Sequence, residues 1–246
     1  MQPSELAGPA WLVLPTYNEA ANIAAIVAAS RDALPADARV LIIDDNSADG
    51  TGEIADRLAA EHPDSVEVLH RPRKEGLGPA YIAGFRRALA GGAGFVLQMD
   101  SDFSHDPADL PRLLAVASES ADIAIGSRYV EGGGVTDWSL LRRIVSRGGS
   151  IYAGLILRLR IRDLTGGFKC FRRAALEGVD LGAISSKGYV FQVEMTGRAL
   201  RAGFTAREVP IVFRDRQEGV SKMSPAIAVE AVWQVPMLRW RLGGRI

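Results

Sequence analysis

Cysteine is almost absent. Cys170 is the one thiol in 246 residues, so no internal disulfide can form and the fold needs no oxidising compartment. Histidine is nearly as scarce, with His62, His70 and His105 only, and no obvious catalytic imidazole among them. No apolar run reaches the roughly 18 to 20 residues that span a bilayer. Met1 to Pro9 has no basic segment leading into an apolar one, so the expectation is a soluble or peripheral chain without a secretory signal. There is no G-x-x-x-x-G-K-[ST] and no G-x-G-x-x-G after the first strand-like run, which argues against a P-loop NTPase and a dinucleotide-binding enzyme. The glycines of "GLGPAYIAG" at 76–84 follow "RPRKE" and not a strand-like run, so they make a weak match. Internal repeats and low-complexity segments are also missing.

What is present is a chain with 48% hydrophobic residues, enough for a sizeable core in one large α/β domain or two small ones. A formal net charge of zero hides a division. Residues 1–137 carry 21 acidic and 10 basic side chains, and residues 138–246 carry 8 acidic and 19 basic. An acidic first half and a basic second half imply two different jobs.

Short apolar runs at Trp11–Leu14, Val40–Ile43, Val66–Leu69, Phe95–Met99 and Ile123–Ile125 predict strands buried on both faces. Helical spacing appears between them over Asn22–Leu34, Gly52–Glu61, Ala80–Ala90 and Pro107–Ser118, the last with Asp106 as N-cap. This alternation implies βαβ units and a mostly parallel sheet, whose ligands bind beyond the carboxyl ends of the strands.

Those ends are acidic. The first reads "PTYNE" (15–19), the second "DDNSADGT" (44–51), the fourth "DSD" (100–102), and the fifth "GSRY" (126–129). Singly, Asn18 could be a helix cap and Asp44–Gly50 an Asx-rich turn. Together, carboxylates crowded at one edge repel and need a cation or donors to hold them. Alternate residues of extended chain share a face, so Asp100 and Asp102 project together. Such hard oxygen ligands suit Mg²⁺ or Mn²⁺, which complete their shells with waters and substrate phosphates. A nucleotide diphosphate is the inferred ligand.

These strand ends resemble the nucleotide-sugar domain of the family 2 glycosyltransferases. "GLGPAYIAGF" (76–85), "GSRYVEGGGVTDW" (126–138), "SRGGSIYA" (146–153), "DLTGGFKCFRR" (163–173), "SKGYVFQVEM" (186–195) and "REVPIVFRDRQEGVSKM" (207–223) narrow the resemblance, in order and spacing, to the dolichyl- or polyprenol-phosphate mannose synthases. It covers about residues 11–222. The resemblance implies a GT-A-type fold: a mostly parallel central sheet flanked by helices, in one catalytic domain over 1–223, with an amphipathic C-terminal helix over 224–246. It implies transfer of mannose from GDP-mannose to a polyprenyl monophosphate with inversion at the sugar carbon. By position, Pro15, Tyr17, Glu19, Ile43 and Asp45 would hold the guanosine part. Asp100, Ser101 and Asp102 would hold the diphosphate and metal, and Arg128, Arg216 and Lys222 the phosphates. Ser104 is a further candidate for the metal shell, directly or through water, while His105, with no second ring ligand nearby, reads as structural. The family commonly has alanine where this chain has Ser101, and glycine where it has Asn46.

The nucleophile in such a transfer is a phosphate monoester oxygen, already anionic near pH 7 because its second pKa is about 6, so no general base is required. Residues 138–162 hold six arginines and no acid, with aliphatics at helical spacing. A core-packing helix with a solvated basic face would read this way, and so would a membrane-surface helix attracted to anionic lipid. Residues 224–246 form a second apolar run, interrupted by Glu230, Gln234 and Pro236, which reads as interfacial or as a dock for a separate membrane-spanning anchor protein. "DRQEGVSK" (215–222) is expected to be a mobile loop closing over both phosphates. The implied location is peripheral, at the cytoplasmic face of a membrane, with no nucleic-acid partner. A UDP-glucose-dependent polyprenyl-phosphate glucosyltransferase keeps the same fold and is the nearest rival. A noncatalytic membrane-associated scaffold is more distant, since Asp100 and Asp102 both stand.

Overall fold

The first half folds as its apolar spacing predicts. The computed structural model describes residues 8–186, 188–215 and 225–243. In it β1 (Ala10–Thr16), β2 (Arg39–Asp44), β3 (Val66–His70), β4 (Phe95–Gln98) and β5 (Ile123–Ser127) alternate with α1 (Ile23–Ala33), α2 (Thr51–Glu61), α3 (Leu77–Ala90) and α4 (Leu110–Glu119). Two helix starts differ from expectation by more than one residue. Helix α3 starts three residues early, inside "GLGPAYIAG", and Pro107–Asp109 forms a separate 3-10 turn before α4, capped by the Asp106 carboxylate accepting from Ala108 N.

The second half adds β6 (Gly134–Val135), α5 (Leu140–Leu157), β7 (Lys169–Arg172), α6 (Arg173–Glu177), α7 (Gly188–Arg201), β8 (Ala206–Pro210), β9 (Val212–Phe213) and α8 (Pro225–Arg241). The main sheet runs β3-β2-β1-β4-β7-β5-β8, and a small parallel pair joins β6 to β9. Only β7 runs antiparallel in the main sheet, wedged between β4 and β5. Its insertion moves β5 one place away from β4, so "GSRY" and "DSD" flank "TGGF" at one edge.

Two apolar layers enclose the sheet. Leu12, Leu14, Ile42 and Leu97 pack with Ile23, Ile26, Leu110 and Leu113 on one face, and Trp11, Val13, Leu41 and Val96 pack with Tyr81, Phe85, Phe191 and Met195 on the other. Helix α3 lies close because Gly84 has no side chain: a Cβ there would stand 2.4 Å from Val13 Cγ1. A third cluster joins α5, α7 and α8 through Ala153, Leu157, Val193, Val235 and Leu238.

Helix α5 is amphipathic with its apolar side reversed. Its N-cap Ser139 accepts from Arg142 N, and the buried face is small or polar, with Ser146, Ser150 and Ala153 beside Leu157. The bulky aliphatics point out: Leu140, Leu141 and Leu155 are each more than 70% exposed, and Ile144 and Ile151 are exposed too. The inner face packs into the third cluster, and the outward aliphatics are more than a core-packing helix with a solvated basic face calls for. Helix α8 likewise exposes Trp233, Met237 and Trp240, the last at 82%, while Val235 and Leu238 face inward. Tyr152 Oη donates to Val232 O and Arg239 Nη1 to Ile156 O, binding the two helices. Among the described residues no helix is long and apolar enough to cross a membrane.

Candidate active site

At the carboxyl edge of the sheet the loops after β1 and β2 lock into one another. Asn18 N donates to Ser47 Oγ at 3.0 Å and Ala48 N returns a bond to Asn18 Oδ1 at 3.1 Å. Glu19 N donates to Thr51 Oγ1, and Ala20 N to Asp49 Oδ2. Asn18 is therefore no helix cap. It clamps two loops from a left-handed backbone conformation that asparagine tolerates. Asn46 sits at φ 60, the region where glycine is the ordinary choice and asparagine the next, which accounts for the departure at that position.

The predicted nucleoside residues sit around these loops with one exception. The Tyr17 ring lies under Lys74 Nζ, 3.7 Å from its centroid, and the Glu19 carboxylate accepts from Asn22. Asp45 is buried and ion-paired with Arg71, whose other arm reaches Glu75. Burial raises the Asp45 carboxyl above its ordinary value, and Arg71 pulls against that shift. Ile43 is the exception. Its side chain is fully buried in the layer under α3, and the residue as a whole is 0% exposed.

His70 closes the outer end of this region, with Nε2 2.9 Å from Asp56 of α2 and Nδ1 3.4 Å from Asp44 of β2. The bond to Asp56 and then Asp44 raise its pKa, while partial burial opposes them. A raised folded-state pKa gives stability that is complete below the unfolded value of about 6.5 and lost as pH rises through the folded one. The unfolding midpoints of wild type and His70→Gln are therefore expected to differ at pH ~5.5 and to converge by pH ~8.5. Thermal melts across that range check it, and a gap that widens with pH would contradict it.

Strand β4 ends at Gln98, one residue sooner than predicted, so bends rather than strand alternation place the acidic pair. Ser101 Oγ donates to Pro15 O at 3.1 Å, tying this loop to the end of β1, a bond that alanine could not make. Asp102 is buried and its Oδ1 accepts from Ser104 N at 3.0 Å. Between them Phe103 adopts φ 58, a strained conformation for an aromatic residue of the kind that collects at functional sites. Asp100 is more open, with Tyr81 Oη at 3.4 Å and His105 Nδ1 at 3.8 Å from its two oxygens. Burial, then Asp100 and Asp102, raise the Tyr81 hydroxyl well above its ordinary value. Burial lowers the pKa of His105 against the pull of both carboxylates, and its ring packs between Phe168 and Phe213.

This donor set fits a divalent cation that keeps waters and substrate oxygens. Among the described residues no three His, Cys, Asp or Glu side chains gather closely enough to cage a metal. Beside Asp102, however, the buried Ser104 Oγ has no hydrogen-bond partner. Two carboxylates and a hydroxyl would supply hard oxygen ligands of the kind that Mg²⁺ or Mn²⁺ takes.

Arg128, at the end of β5, is not simply presented to a ligand. Its Nε and Nη2 each stand 2.7 Å from the Asp163 carboxylate, its backbone N donates to the same group, and Nη2 also reaches Thr165. The guanidinium is enclosed by the rings of Tyr129, Trp138 and Phe213. Burial works against the Asp163 charge, but Arg128 overcomes it and holds the carboxyl below its ordinary range. Asp163 stands in the "DLTGGF" motif without having been singled out, and its signal was an acid at the mouth of a glycine turn. Lys169 was missed in the same stretch, though a lysine inside the apolar run "FKCF" marks a buried cation. Its Nζ donates to Gln192 O, Gln192 Oε1 and Thr196 Oγ1 at 2.9–3.1 Å. Burial lowers its pKa to about 7, with Asp163 opposing.

Arg216 and Lys222, with the loop between them, lie outside the described residues. The stem before them is anchored: Arg214 N donates to Ser104 O, the Arg214 guanidinium pairs with Asp106, and Asp215 takes a double contact from Arg142 of α5.

Comparisons with known proteins agree with this fold. Residues 11–179 match the model described as glycosyl transferase family 2. The chain is 45% identical over 235 residues to the polyprenol monophosphomannose synthase of Mycolicibacterium smegmatis, covering 96% of this chain and 88% of that protein. It is 48% identical over 233 residues to the undecaprenyl-phosphate mannosyltransferase of Micrococcus luteus, covering 95% and 94%. Among solved structures, a mannosyltransferase from Pyrobaculum calidifontis in complex with GDP-Man and Mn²⁺ superposes with a TM-score of 0.64 at 19% identity, over 98% of this chain and 65% of that one. Glucosyl-3-phosphoglycerate synthase from Mycobacterium tuberculosis, with Mn²⁺, UDP and its product, gives 0.67 at 17% identity, over 100% and 85%. At these identities the structural likeness speaks for the fold.

Proposed function

This chain belongs to glycosyl transferase family 2, and from that premise we propose that it transfers mannose from GDP-mannose to a polyprenyl monophosphate. Its fold is the GT-A type, a mostly parallel sheet between helices. Both curated relatives are named for transfer to a polyprenyl carrier, one for mannosyltransferase and one for phosphomannose synthase activity, so the UDP-glucose alternative is not favoured. The observation that carries the reading to particular residues is the acidic pair after β4, fastened to the end of β1 by Ser101 and backed by an unpartnered Ser104 hydroxyl.

In the reaction an acceptor phosphate oxygen forms the bond to the anomeric carbon as the bond from that carbon to the GDP β-phosphate oxygen breaks, leaving GDP and polyprenyl phosphate mannose. The nucleophile is already anionic, so no side chain needs to take a proton. Pro15, Tyr17, Glu19 and Asp45 hold the guanosine, with Tyr17 and Lys74 as its flat cationic platform. Asp100, Asp102 and Ser104 hold a divalent cation, Mg²⁺ or Mn²⁺. When bound, that cation supplies positive charge to the departing diphosphate. Arg128, its fork fixed by Asp163, adds to this field, and Arg216 and Lys222 complete it. With polyprenyl phosphate held constant and several nucleotide sugars compared, mannosyl lipid is expected from GDP-mannose in clear excess over any other product. Equal or faster glucose transfer from UDP-glucose would contradict the donor assignment.

Residues 1–223 act as one catalytic domain and 224–246 as an interfacial element, working peripherally at the cytoplasmic face of a membrane. Support comes from the outward faces of α5 and α8. Exposed Leu140, Leu141, Leu155, Trp233 and Trp240 stand among exposed Arg143, Arg147, Arg158 and Arg241, a pairing of apolar area with positive charge that suits an anionic lipid surface. In vesicle sedimentation, binding to phosphatidylglycerol-containing vesicles should exceed binding to neutral ones and drop for Trp233→Ser/Trp240→Ser. Equal recovery with both vesicle types would count against the surface.

A further inference from the structure

Glu208 lies on β8, the last strand of the sheet, where a carboxylate ordinarily faces water. This one is half-buried and committed to three donors. Its Oε1 accepts from Ser127 Oγ at 2.7 Å and from the backbone N of Asp163 at 2.9 Å, and its Oε2 accepts from the backbone N of Arg162 at 3.0 Å. Ser127 ends β5 just before Arg128, and Asp163 is the residue that grips the Arg128 fork. One carboxylate thus joins the two places from which Arg128 is held, its backbone and its guanidinium.

The sheet makes this reach possible. β8 runs parallel to β5 with Glu208 opposite Ile125, and Ser127 shares the face of Ile125 because it is two residues on. Arg162 and Asp163 belong to no strand or helix, so bonds from outside fix where the Asp163 carboxylate stands. The pair between Asp163 and Arg128 holds the two side chains to each other. It does not by itself set where that pair stands relative to the carboxyl edge of the sheet.

We infer that Glu208 is a positioning residue for the transfer: by fixing the Asp163 backbone against the end of β5, it sets the direction in which the Arg128 guanidinium is presented to the departing diphosphate. The inference rests on the reading of Arg128 as part of the field on that diphosphate. A displacement of about 1 Å in such a group can cost about 100-fold in rate. A brace that only stabilises the last strand is the other role that these three bonds allow.

Kinetics of the full chain separate the two roles. Glu208→Ala removes all three bonds at a half-buried place where water can replace them, and Ser127→Ala removes the bond at the strand end. Glu208→Ala is expected to lower kcat by about 10- to 100-fold and Ser127→Ala by about 3- to 10-fold, each with KM for GDP-mannose within about 3-fold of wild type. In an Arg128→Lys background, where the fork is gone, neither should lower kcat by more than about 2-fold further. A lowered unfolding temperature with kcat at the wild-type value, or an undiminished further loss of kcat in the Arg128→Lys background, would overturn the inference and leave Glu208 a brace. If Glu208→Ala does not melt cooperatively, Ser127→Ala decides by the same comparison. Arg128→Lys with wild-type kcat would overturn the reading of Arg128 itself, and the inference with it.

Discussion

Asp163→Ala is expected to lower the unfolding midpoint by about 6–20 °C. The figure follows from about 3–5 kcal/mol for stripping one partner from a buried ion pair, and about 2–4 °C per kcal/mol in a chain of this size. Asp163 receives the Nε, Nη2 and backbone N of Arg128 and also the backbone N of Gly166. Its loss leaves a guanidinium enclosed by three aromatic rings without its counter-charge, and leaves two backbone donors unanswered. The damage extends beyond one contact because Gly166 begins the turn that carries Gly167 and Lys169 into β7. The conservative Asp163→Asn retains the shape and one acceptor and should lose less stability, yet the arginine would still lack the Asp163 charge. Calorimetry on wild type and both variants tests this, and a shift of less than about 2 °C for Asp163→Ala would show that the pair is energetically idle.

Asp102→Asn is expected to do the reverse, with turnover lost and the fold kept. Asparagine keeps an oxygen for Ser104 N, so stability should change by no more than about 1 kcal/mol. Removing one of two neighbouring negative charges even relieves repulsion. What disappears is charge on the ligand for a divalent cation, and with it several kcal/mol of stabilisation for the departing diphosphate, a fall in kcat of about 10³-fold or more. Turnover within about 10-fold of wild type would remove Asp102 from the mechanism.

These two aspartates show what the sequence could and could not disclose. Asp102 was legible because it stands where a strand-like apolar run turns acidic, and β-strand spacing with the ligand rule for parallel sheets says where that matters. Asp163 was not, because its importance comes from β7. That strand enters the sheet antiparallel between β4 and β5, and nothing in "KCFR" announces an antiparallel partner 71–77 residues from one neighbour and 44–48 from the other. Strands β1 to β5 and helices α1 to α4 followed from periodicity, while the order of the sheet did not. Helix α5 was legible as a helix, but its facing was not. The inner face is built from Ser146, Ser150 and Ala153, so the usual assumption that large aliphatics point inward gives the wrong side. Ile43 was drawn into the site by position and is held in the core by packing. Ser101 and Asn46, departures from the family pattern, each acquire a reason from geometry that spacing does not carry: a bond to Pro15 O and a positive φ.

The most direct test of the central claim, cation-dependent transfer of mannose to a lipid phosphate by the site after β4, is a single assay. Purified chain is mixed with GDP-mannose and polyprenyl phosphate, with Mg²⁺ or Mn²⁺ added in one arm and excess chelator in the other, and the organic phase is extracted. The predicted result is mannose in the organic phase, linked through phosphate with its anomeric configuration inverted, and only where the cation is present. Equal product in the chelator arm, or no lipid-linked mannose with the cation, would contradict it.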